Sequence, residues 1–205
     1  MEKSTIVGVV LAGGRATRMG GTDKGLIEVG GTMMVEHVLR RLRPQVDRLL
    51  INANRSHPVY AQFGHPVVAD AMADFAGPLA GMAAAMDAAG DGYIVTVPCD
   101  SPLVPPDLVE RLFSALQREK ATIAVAAGAG RLQPVFALLP CQLRGSLQQF
   151  LDSGERKIDR WYAQHAMAVV DFDDAPETFL NINTPEERAA LEARYFSAGP
   201  ETGSP

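Results

Sequence analysis

Apolar residues recur along the chain in two alternating patterns. Residues 6–11 form a continuous, mostly β-branched run that ends at a glycine-rich segment, which is typical of a strand buried on both faces. Apolar residues between positions 35 and 42 then recur at i, i+3, i+4 and i+7, the spacing of one helical face, and Pro44 marks the expected end of that helix. Further strands are predicted at residues 48–53, 66–69, 93–97 and 122–126, and further helices at residues 79–89 and 109–116. This alternation predicts a three-layer α/β/α fold with a mainly parallel sheet.

The pattern becomes less regular after residue 128. It predicts an extended segment at residues 132–139, a helix at residues 143–151 and a late strand at residues 167–170. A capping box at residues 184–187, with a proline at the first helical position, predicts a last helix that reaches about Tyr195. We find neither an internal repeat nor a linker, so we expect one domain over residues 1–198 and a flexible tail over residues 199–205.

Composition and charge narrow the class of protein. The chain has 205 residues, 47% of them hydrophobic and 21% charged, which is enough apolar material for a packed core. Its net charge of −5 provides no general positive field, so we expect neither a nucleic acid nor a membrane as partner. No signal peptide or apolar run of membrane-spanning length is recognisable, and we expect a cytoplasmic protein.

The cysteines and histidines do not have the spacing of a metal site. Cys99 and Cys141 lie far apart, so we expect two reduced, buried thiols rather than a disulfide or a zinc site. No histidine stands near Cys99 in the sequence to activate it, and we do not predict it as a nucleophile.

The glycine-rich segment at residues 11–25, LAGGRATRMGGTDKG, has the composition of a polyphosphate site. Glycines let backbone N–H groups approach phosphate oxygens, and Arg15, Arg18 and Lys24 supply the charge that a triphosphate and a leaving pyrophosphate need. The spacing matches neither GxxxxGK[ST] nor GxGxxG. A solvated surface loop is the alternative, but a position directly after the first strand favours a ligand site.

Three polar residues lie at the carboxyl ends of other predicted strands. Because ligands of parallel sheets bind beyond the carboxyl ends of the strands, Asn52, Asp70 and Asp100 are expected to lie near the glycine-rich segment. Asp100 follows an apolar strand and is the best candidate for a Mg²⁺ ligand, although an aspartate in this place can also cap a turn. For Asn52 and Asp70, a nucleotide contact and an ordinary loop position both remain open.

Polar residues near the carboxyl terminus form a second candidate group. Asn181 and Asn183 alternate around Ile182, so in an extended segment both amides would lie on one face and could bind one polar ligand. They could equally serve the turn before the last helix. Arg156 and Lys157, by the same reasoning, are usually solvated charges.

Several sequence blocks resemble the molybdenum cofactor guanylyltransferases, the MobA family. They occur in family order, and their coverage runs from about Ile6 to Glu187. The blocks are GVVLAGGRATRMGGTDKGL at residues 8–26, NANR at 52–55, DFAGPLAGM at 74–82, PCDSP at 98–102 and NINTPEE at 181–187. The first block alone is shared with a broader superfamily, and the later blocks carry the narrower assignment. The resemblance implies a Rossmann-like nucleotidyltransferase sheet whose N-terminal half binds nucleotide and whose C-terminal half binds a pterin.

The resemblance also implies an activity and a set of site residues. The activity is Mg²⁺-dependent transfer of GMP from GTP to molybdopterin, giving molybdopterin guanine dinucleotide and pyrophosphate. The implied GTP-binding residues are Leu11, Ala12, Gly13, Gly14, Lys24, Asn52, Asp70 and Asp100. Arg18, Lys24 and Asp100 would be catalytic, Asp100 would hold the metal, and Arg156, Asn181 and Asn183 would lie on the pterin side. We expect a monomer in transient contact with molybdopterin-delivering proteins and molybdoenzyme chaperones.

Other functions are compatible with the same residues. One is a cytidylyltransferase that acts on the same pterin, or another sugar-phosphate nucleotidyltransferase, because spacing alone does not reveal which base is bound. Another is a non-enzymatic carrier of the pterin cofactor. Pyrophosphate release separates an enzyme from a carrier, and the preferred nucleoside triphosphate separates the enzymes from each other.

Overall fold

The fold is built on one large sheet. We describe it from a computed structural model, in which residues 4–13, 23–71, 77–182 and 184–196 are described. Within these ranges, the sheet has seven strands in the order β5-β4-β1-β6-β8-β7-β9, and β2 and β3 form a separate hairpin. The strands are β1 (Ile6–Leu11), β2 (Glu28–Val29), β3 (Thr32–Met33), β4 (Arg48–Asn52), β5 (Val67–Val68), β6 (Tyr93–Pro98), β7 (Ile123–Gly128), β8 (Arg131–Pro140) and β9 (Met167–Asp171).

Helices cover both faces of this sheet. They are α1 (Met34–Leu42), α2 (His57–Tyr60), α3 (Pro78–Ala89), α4 (Leu108–Glu119), α5 (Arg144–Asp152), α6 (Ile158–Tyr162) and α7 (Pro185–Leu191). The apolar stripes of α1 and α4 pack on one face, and α3, α5 and α6 pack on the other. The central residues of β1 are buried from both sides, as its uninterrupted apolar run predicts. The predicted three-layer α/β/α architecture is therefore confirmed.

The sheet is mainly parallel, with one exception. β1 pairs in parallel with β4 and β6, as does β4 with β5 and β7 with β9. β8 runs antiparallel to both β6 and β7. Sequence patterning predicted an extended segment here but not its direction, because alternation of side chains does not depend on strand direction.

β8 leaves the sheet ladder over three residues. Its pairing with β6 ends where Thr96 faces Ala137, and its register with β7 jumps from Ala137 to Gln133. Residues 134–136 therefore have no partner in either register, and a proline is tolerated there because no ladder N–H is needed. Side-chain hydroxyls replace the missing bonds, since Thr96 donates to the Val135 carbonyl at 2.7 Å and Tyr162 to the Pro134 carbonyl at 2.7 Å.

The last helix begins at the predicted capping box. The Glu187 N–H donates to the Thr184 hydroxyl and the Thr184 N–H to the Glu187 carboxylate, both at 3.1 Å. A π-helical turn, Glu192–Phe196, follows α7. The predicted tail at residues 199–205 lies outside the described residues, and the predicted domain limits stay predictions. No described helix has both the length and the apolar composition needed to cross a membrane.

Candidate functional site

A cavity opens at the carboxyl edge of the parallel strands. In the register of the sheet, Leu11 at the end of β1 lies opposite Asn52 of β4 and Pro98 of β6, so three strand ends are level. The cavity has a volume of about 430 Å³. Its described walls are formed by Leu11, Ala12, Gly13, Asp23, Lys24, Asn52, Arg55, Asp70, Gly77, Pro78, Pro98, Cys99, Asp100 and Val135. Seven residues predicted for the nucleotide site are thus brought together: Leu11, Ala12, Gly13, Lys24, Asn52, Asp70 and Asp100.

Lys24 and Asp100 form an ion pair at the wall of the cavity. Lys24 begins a short 3-10 helix, Lys24–Leu26, and Asp100 stands in the turn after β6. The Lys24 ammonium donates to Asp100 Oδ2 at 3.1 Å, and the two side chains are 28% and 15% exposed. This partial exposure leaves both charges accessible from the cavity, which is what a phosphate-binding cation and a metal-binding carboxylate require.

Asp70 is held by two amides at the carboxyl end of β4, Asn52 and Asn54. Asn52 donates to Asp70 Oδ1 at 2.8 Å, and Asn54 donates to Asp70 Oδ2 at 2.7 Å. The Asp70 N–H in turn donates to Asn54 Oδ1 at 2.8 Å. Asn52 is only 2% exposed, so this network is fixed by its surroundings. It presents an oriented carboxylate, which can only accept hydrogen bonds, at the cavity.

Asp23 is a largely buried part of the cavity wall and was not predicted as a site residue. Its side chain is 6% exposed and accepts a 2.7 Å hydrogen bond from the hydroxyl of the fully buried Tyr60. Arg55 lies on the other side, with its Nε 3.7 Å from Asp23 Oδ2. Burial, and then the neighbouring Cys99 and Asp23, raise the pKa of the Tyr60 hydroxyl far above its usual value, so the hydroxyl stays a donor.

Cys99 contributes a neutral thiol to the cavity floor. It is 7% exposed, and burial, followed by the nearby Asp100 and Asp23, raises the pKa of its thiol well above the usual value. A protonated thiol is a poor nucleophile. Cys141 is also free and buried, so the prediction of two reduced, buried thiols is confirmed.

Two other predicted residues, Arg156 and Asn181, are absent from the described walls of the cavity. Arg156 donates to the carbonyls of Leu151 and Glu155, both at 2.7 Å, at the end of α5. Asn181 lies closer to Asp100, because it accepts a 2.6 Å hydrogen bond from the buried hydroxyl of Ser101. Gly14, Arg18 and Asn183 lie outside the described residues. The binding roles assigned to all of these residues stay predictions.

The charges of the described walls suit a metal bound together with phosphate. Three carboxylates, Asp23, Asp70 and Asp100, face two cations, Lys24 and Arg55. No group of three or more potential metal-ligating side chains occurs in the described parts of the chain. Magnesium is commonly held by one or two carboxylates with substrate phosphates completing the shell, so Asp100 fits the role of a single protein ligand.

Known proteins are similar to this chain in sequence and in fold. Residues 8–169 match the family model described as the MobA-like NTP transferase domain. The chain is 52% identical over 183 residues to a molybdenum cofactor guanylyltransferase of Shewanella sediminis, covering 89% of this chain and 93% of that protein. A protein of the same name from Shewanella loihica is 51% identical over 183 residues, with the same coverage of 89% and 93%.

The architecture recurs at lower sequence identity. The crystal structure of molybdopterin-guanine dinucleotide biosynthesis protein A from Archaeoglobus fulgidus superimposes with a TM-score of 0.75 at 21% identity. The match covers 92% of this chain and 97% of that chain. At this identity the likeness establishes the fold.

Proposed function

The chain belongs to the family of MobA-like NTP transferases, and from this premise we propose that it transfers GMP from GTP to molybdopterin. The products are molybdopterin guanine dinucleotide and pyrophosphate. The observation that carries the proposal is the pairing of Lys24 with Asp100 at a cavity built on the carboxyl ends of β1, β4 and β6. Relatives about 50% identical over most of their length carry the name of this activity.

The donor triphosphate is assigned to the side of the cavity formed by residues 11–13 and Lys24. Lys24 can exchange its contact with Asp100 for phosphate oxygens, because an ammonium pairs with either anion. Arg18 is proposed as a second phosphate-binding cation. Together they stabilise the negative charge that builds up on the leaving pyrophosphate.

Asp100, freed from Lys24, is proposed to hold Mg²⁺ together with the donor phosphates. When bound, Mg²⁺ would neutralise triphosphate charge and polarise the α-phosphoryl group. The role of Asp100 is to fix the place of that charge, and the turn after β6 keeps its carboxylate at the wall. Because the Lys24–Asp100 pair is only partly buried, phosphate can replace Asp100 at Lys24, and Mg²⁺ can replace Lys24 at Asp100.

The Asp70 network supports guanine as the base. Guanine presents two N–H donors, at N1 and N2, on one edge, whereas cytosine presents acceptors at the corresponding positions. A carboxylate held by Asn52 and Asn54 complements donors and repels acceptors. We therefore assign Asp70 to the base and Asn52 to its positioning.

Chemistry then proceeds by in-line displacement. A terminal phosphate oxygen of the pterin attacks the α-phosphorus, a new P–O bond forms, and the bond from the α-phosphorus to the bridging oxygen of pyrophosphate breaks. The attacking phosphate is already anionic near neutral pH, so no general base is required. The C-terminal half of the chain is proposed to bind the pterin, with Asn181, Asn183 and Arg156 as candidate contacts.

The test is to incubate the protein with Mg²⁺, molybdopterin and each of GTP, CTP, ATP and UTP. Pyrophosphate and the dinucleotide product are measured, with EDTA in place of Mg²⁺ and Lys24→Met as controls. We expect turnover with GTP that requires Mg²⁺. Selective turnover of CTP would overturn the guanylyl assignment, and absence of pyrophosphate with every nucleotide would favour a carrier.

The assignment extends to the cellular setting of the protein. We propose a cytoplasmic monomer that contacts molybdopterin-delivering proteins and molybdoenzyme chaperones only transiently. Sedimentation of the protein at micromolar concentration, alone and with such a partner, tests the oligomeric state and the lifetime of the complex. A stable dimer or a long-lived complex would contradict it.

A further inference from the structure

The buried contact between Tyr60 and Asp23 reaches the cavity through the main chain. Tyr60 ends α2 and is fully buried, and it is absent from the described walls of the cavity. Its hydroxyl bonds Asp23 at 2.7 Å across 37 positions of sequence. The contact therefore joins the segment after β4 to the segment that carries Lys24.

Asp23 accepts a hydrogen bond through its side chain and another through its main chain. Its carboxylate accepts from Tyr60, and its backbone carbonyl accepts from the Leu26 N–H at 3.0 Å, the first bond of the 3-10 helix that begins at Lys24. The side chain and the main chain of Asp23 are therefore both held, at the position directly before this helix. Lys24 is the next residue, so the position of its Cα depends on the same contact.

Gly25 holds the other side of Lys24 against the same hydroxyl. A Cβ atom at Gly25 would lie 2.7 Å from the Tyr60 hydroxyl oxygen and 3.2 Å from Cys99 Cβ. The backbone therefore passes Tyr60 more closely than any side chain would allow. Residues on both sides of Lys24 are positioned by one tyrosine hydroxyl.

The cost of burying Asp23 indicates that this contact matters. A carboxylate removed from water is strongly disfavoured unless hydrogen bonds and a counter-charge compensate. Tyr60 supplies a short bond, whereas Arg55 Nε stands at 3.7 Å, beyond hydrogen-bonding distance. Loss of the hydroxyl would remove this short bond and leave the longer contact with Arg55, so the Asp23 carboxylate would be expected to shift.

We propose that Tyr60 is a positioning residue, which acts through Asp23 to hold Lys24 where its ammonium reaches both Asp100 and the donor phosphates. The proposal rests on the proposed function, in which Lys24 binds the triphosphate. Tyr60 itself is fully buried and is absent from the described walls of the cavity, so we assign it no direct contact with substrate. Small displacements of a group that stabilises a transition state reduce rates steeply, so removal of one hydroxyl should be visible in turnover.

A double-mutant cycle between Tyr60→Phe and Lys24→Met tests this. Tyr60→Phe keeps the buried ring and removes only the hydroxyl. We expect kcat with GTP to fall about tenfold in Tyr60→Phe, and the double variant to turn over as slowly as Lys24→Met alone. The same cycle is also measured with the Kd for GTP in the absence of molybdopterin. The coupling between Tyr60 and Lys24 can then be determined even if Lys24→Met has no measurable turnover.

Tyr162→Phe is the matched control. Tyr162 is 2% exposed, and its hydroxyl also donates one 2.7 Å hydrogen bond, to the Pro134 carbonyl. Whatever the effect of Tyr162→Phe alone, it should multiply with that of Lys24→Met, because Tyr162 packs in the core on the opposite face of the sheet from Tyr60. All variants are assayed at least about 15 °C below their own Tm, which removes differences in folded fraction.

The outcomes separate this inference from the proposed function. If the wild type releases no pyrophosphate with any nucleotide, the proposed function fails. If the wild type is active and the effects of Tyr60→Phe and Lys24→Met multiply, as for Tyr162→Phe, the positioning role is wrong. Should Tyr60→Phe not fold, Asp23→Leu interrupts the same link and enters the cycle in its place, with the same two readings.

Discussion

Replacement of Gly81 by alanine should damage the protein although it adds a better helix former. Gly81 lies in α3, where glycine is ordinarily less favourable than alanine by about 1 kcal/mol. A Cβ at this position would collide with Asn52 Oδ1 and lie 2.9 Å from Asn52 Cγ and 3.1 Å from Leu11 Cδ2. Asn52 has little room to retreat, because it is buried and bonded to Asp70 at 2.8 Å.

The expected change in stability follows from two costs and one gain. Overpacking a tight site costs about 1–3 kcal/mol, and loss of a hydrogen bond to a charged group costs about 1.5–3 kcal/mol if Asn52 is displaced. Alanine returns about 1 kcal/mol of helix propensity. With both costs present, we expect a net loss of about 1.5–5 kcal/mol in the free energy of unfolding, and a Tm lower by about 2–4 °C for each kcal/mol in a chain of this size.

Thermal denaturation and GTP binding provide the assay, with Gly145→Ala as the control. Gly145 also lies in a helix, α5, but a Cβ there would meet no atom within 4 Å. Gly145→Ala should therefore leave the Tm unchanged or raise it, and leave GTP affinity unchanged. If Gly81→Ala is as stable as the wild type and binds GTP equally well, the assignment of a rigid Asn52–Asp70 network at the nucleotide site is refuted.

Further outcomes test the charges and thiols of the cavity. Asp100→Asn should slow pyrophosphate release about 100-fold or more, while the Tm shifts by no more than about 4 °C, since a partly exposed ion pair contributes only about 0–1 kcal/mol. Asp70→Asn should narrow the preference for GTP over CTP in competition assays, and an unchanged ratio would remove Asp70 from base recognition. Because burial raises the pKa of the Cys99 and Cys141 thiols, both should be unreactive towards Ellman's reagent in the native protein at about pH 8, and two thiols per chain should react in denaturant.

The strand-end residues could be predicted from sequence because few physical rules were needed. An apolar run such as that of β1 predicts a buried strand, and the carboxyl ends of parallel strands meet at one edge of a sheet. Asn52 ends a strand, and Asp70 and Asp100 each follow one, so their meeting at the cavity could be predicted without knowledge of their contacts. The prediction of a guanylyl activity came from the family resemblance and not from the spacing of residues.

The Asp23–Tyr60 contact could not be predicted in the same way. An aspartate between a threonine and a lysine indicates an exposed turn by composition, and its burial depends on a tyrosine 37 positions away. Arg156 shows the reverse limit, since the resemblance implied a ligand contact for this cation, and in the structure it donates to backbone carbonyls at the end of α5. Pairing across such separations is decided by tertiary packing, which periodicity does not encode.

The departure of β8 from the ladder makes the two sides of the cavity unequal in their tolerance of change. On the side of β1, β4 and β6, backbone bonds between adjacent strands fix every residue, so an insertion would break the sheet. At residues 134–136, two hydroxyls from Thr96 and Tyr162 satisfy the freed carbonyls, and the chain follows no neighbouring strand. This wall, which includes Val135, can therefore be reshaped while the side formed by β1, β4 and β6 keeps its register.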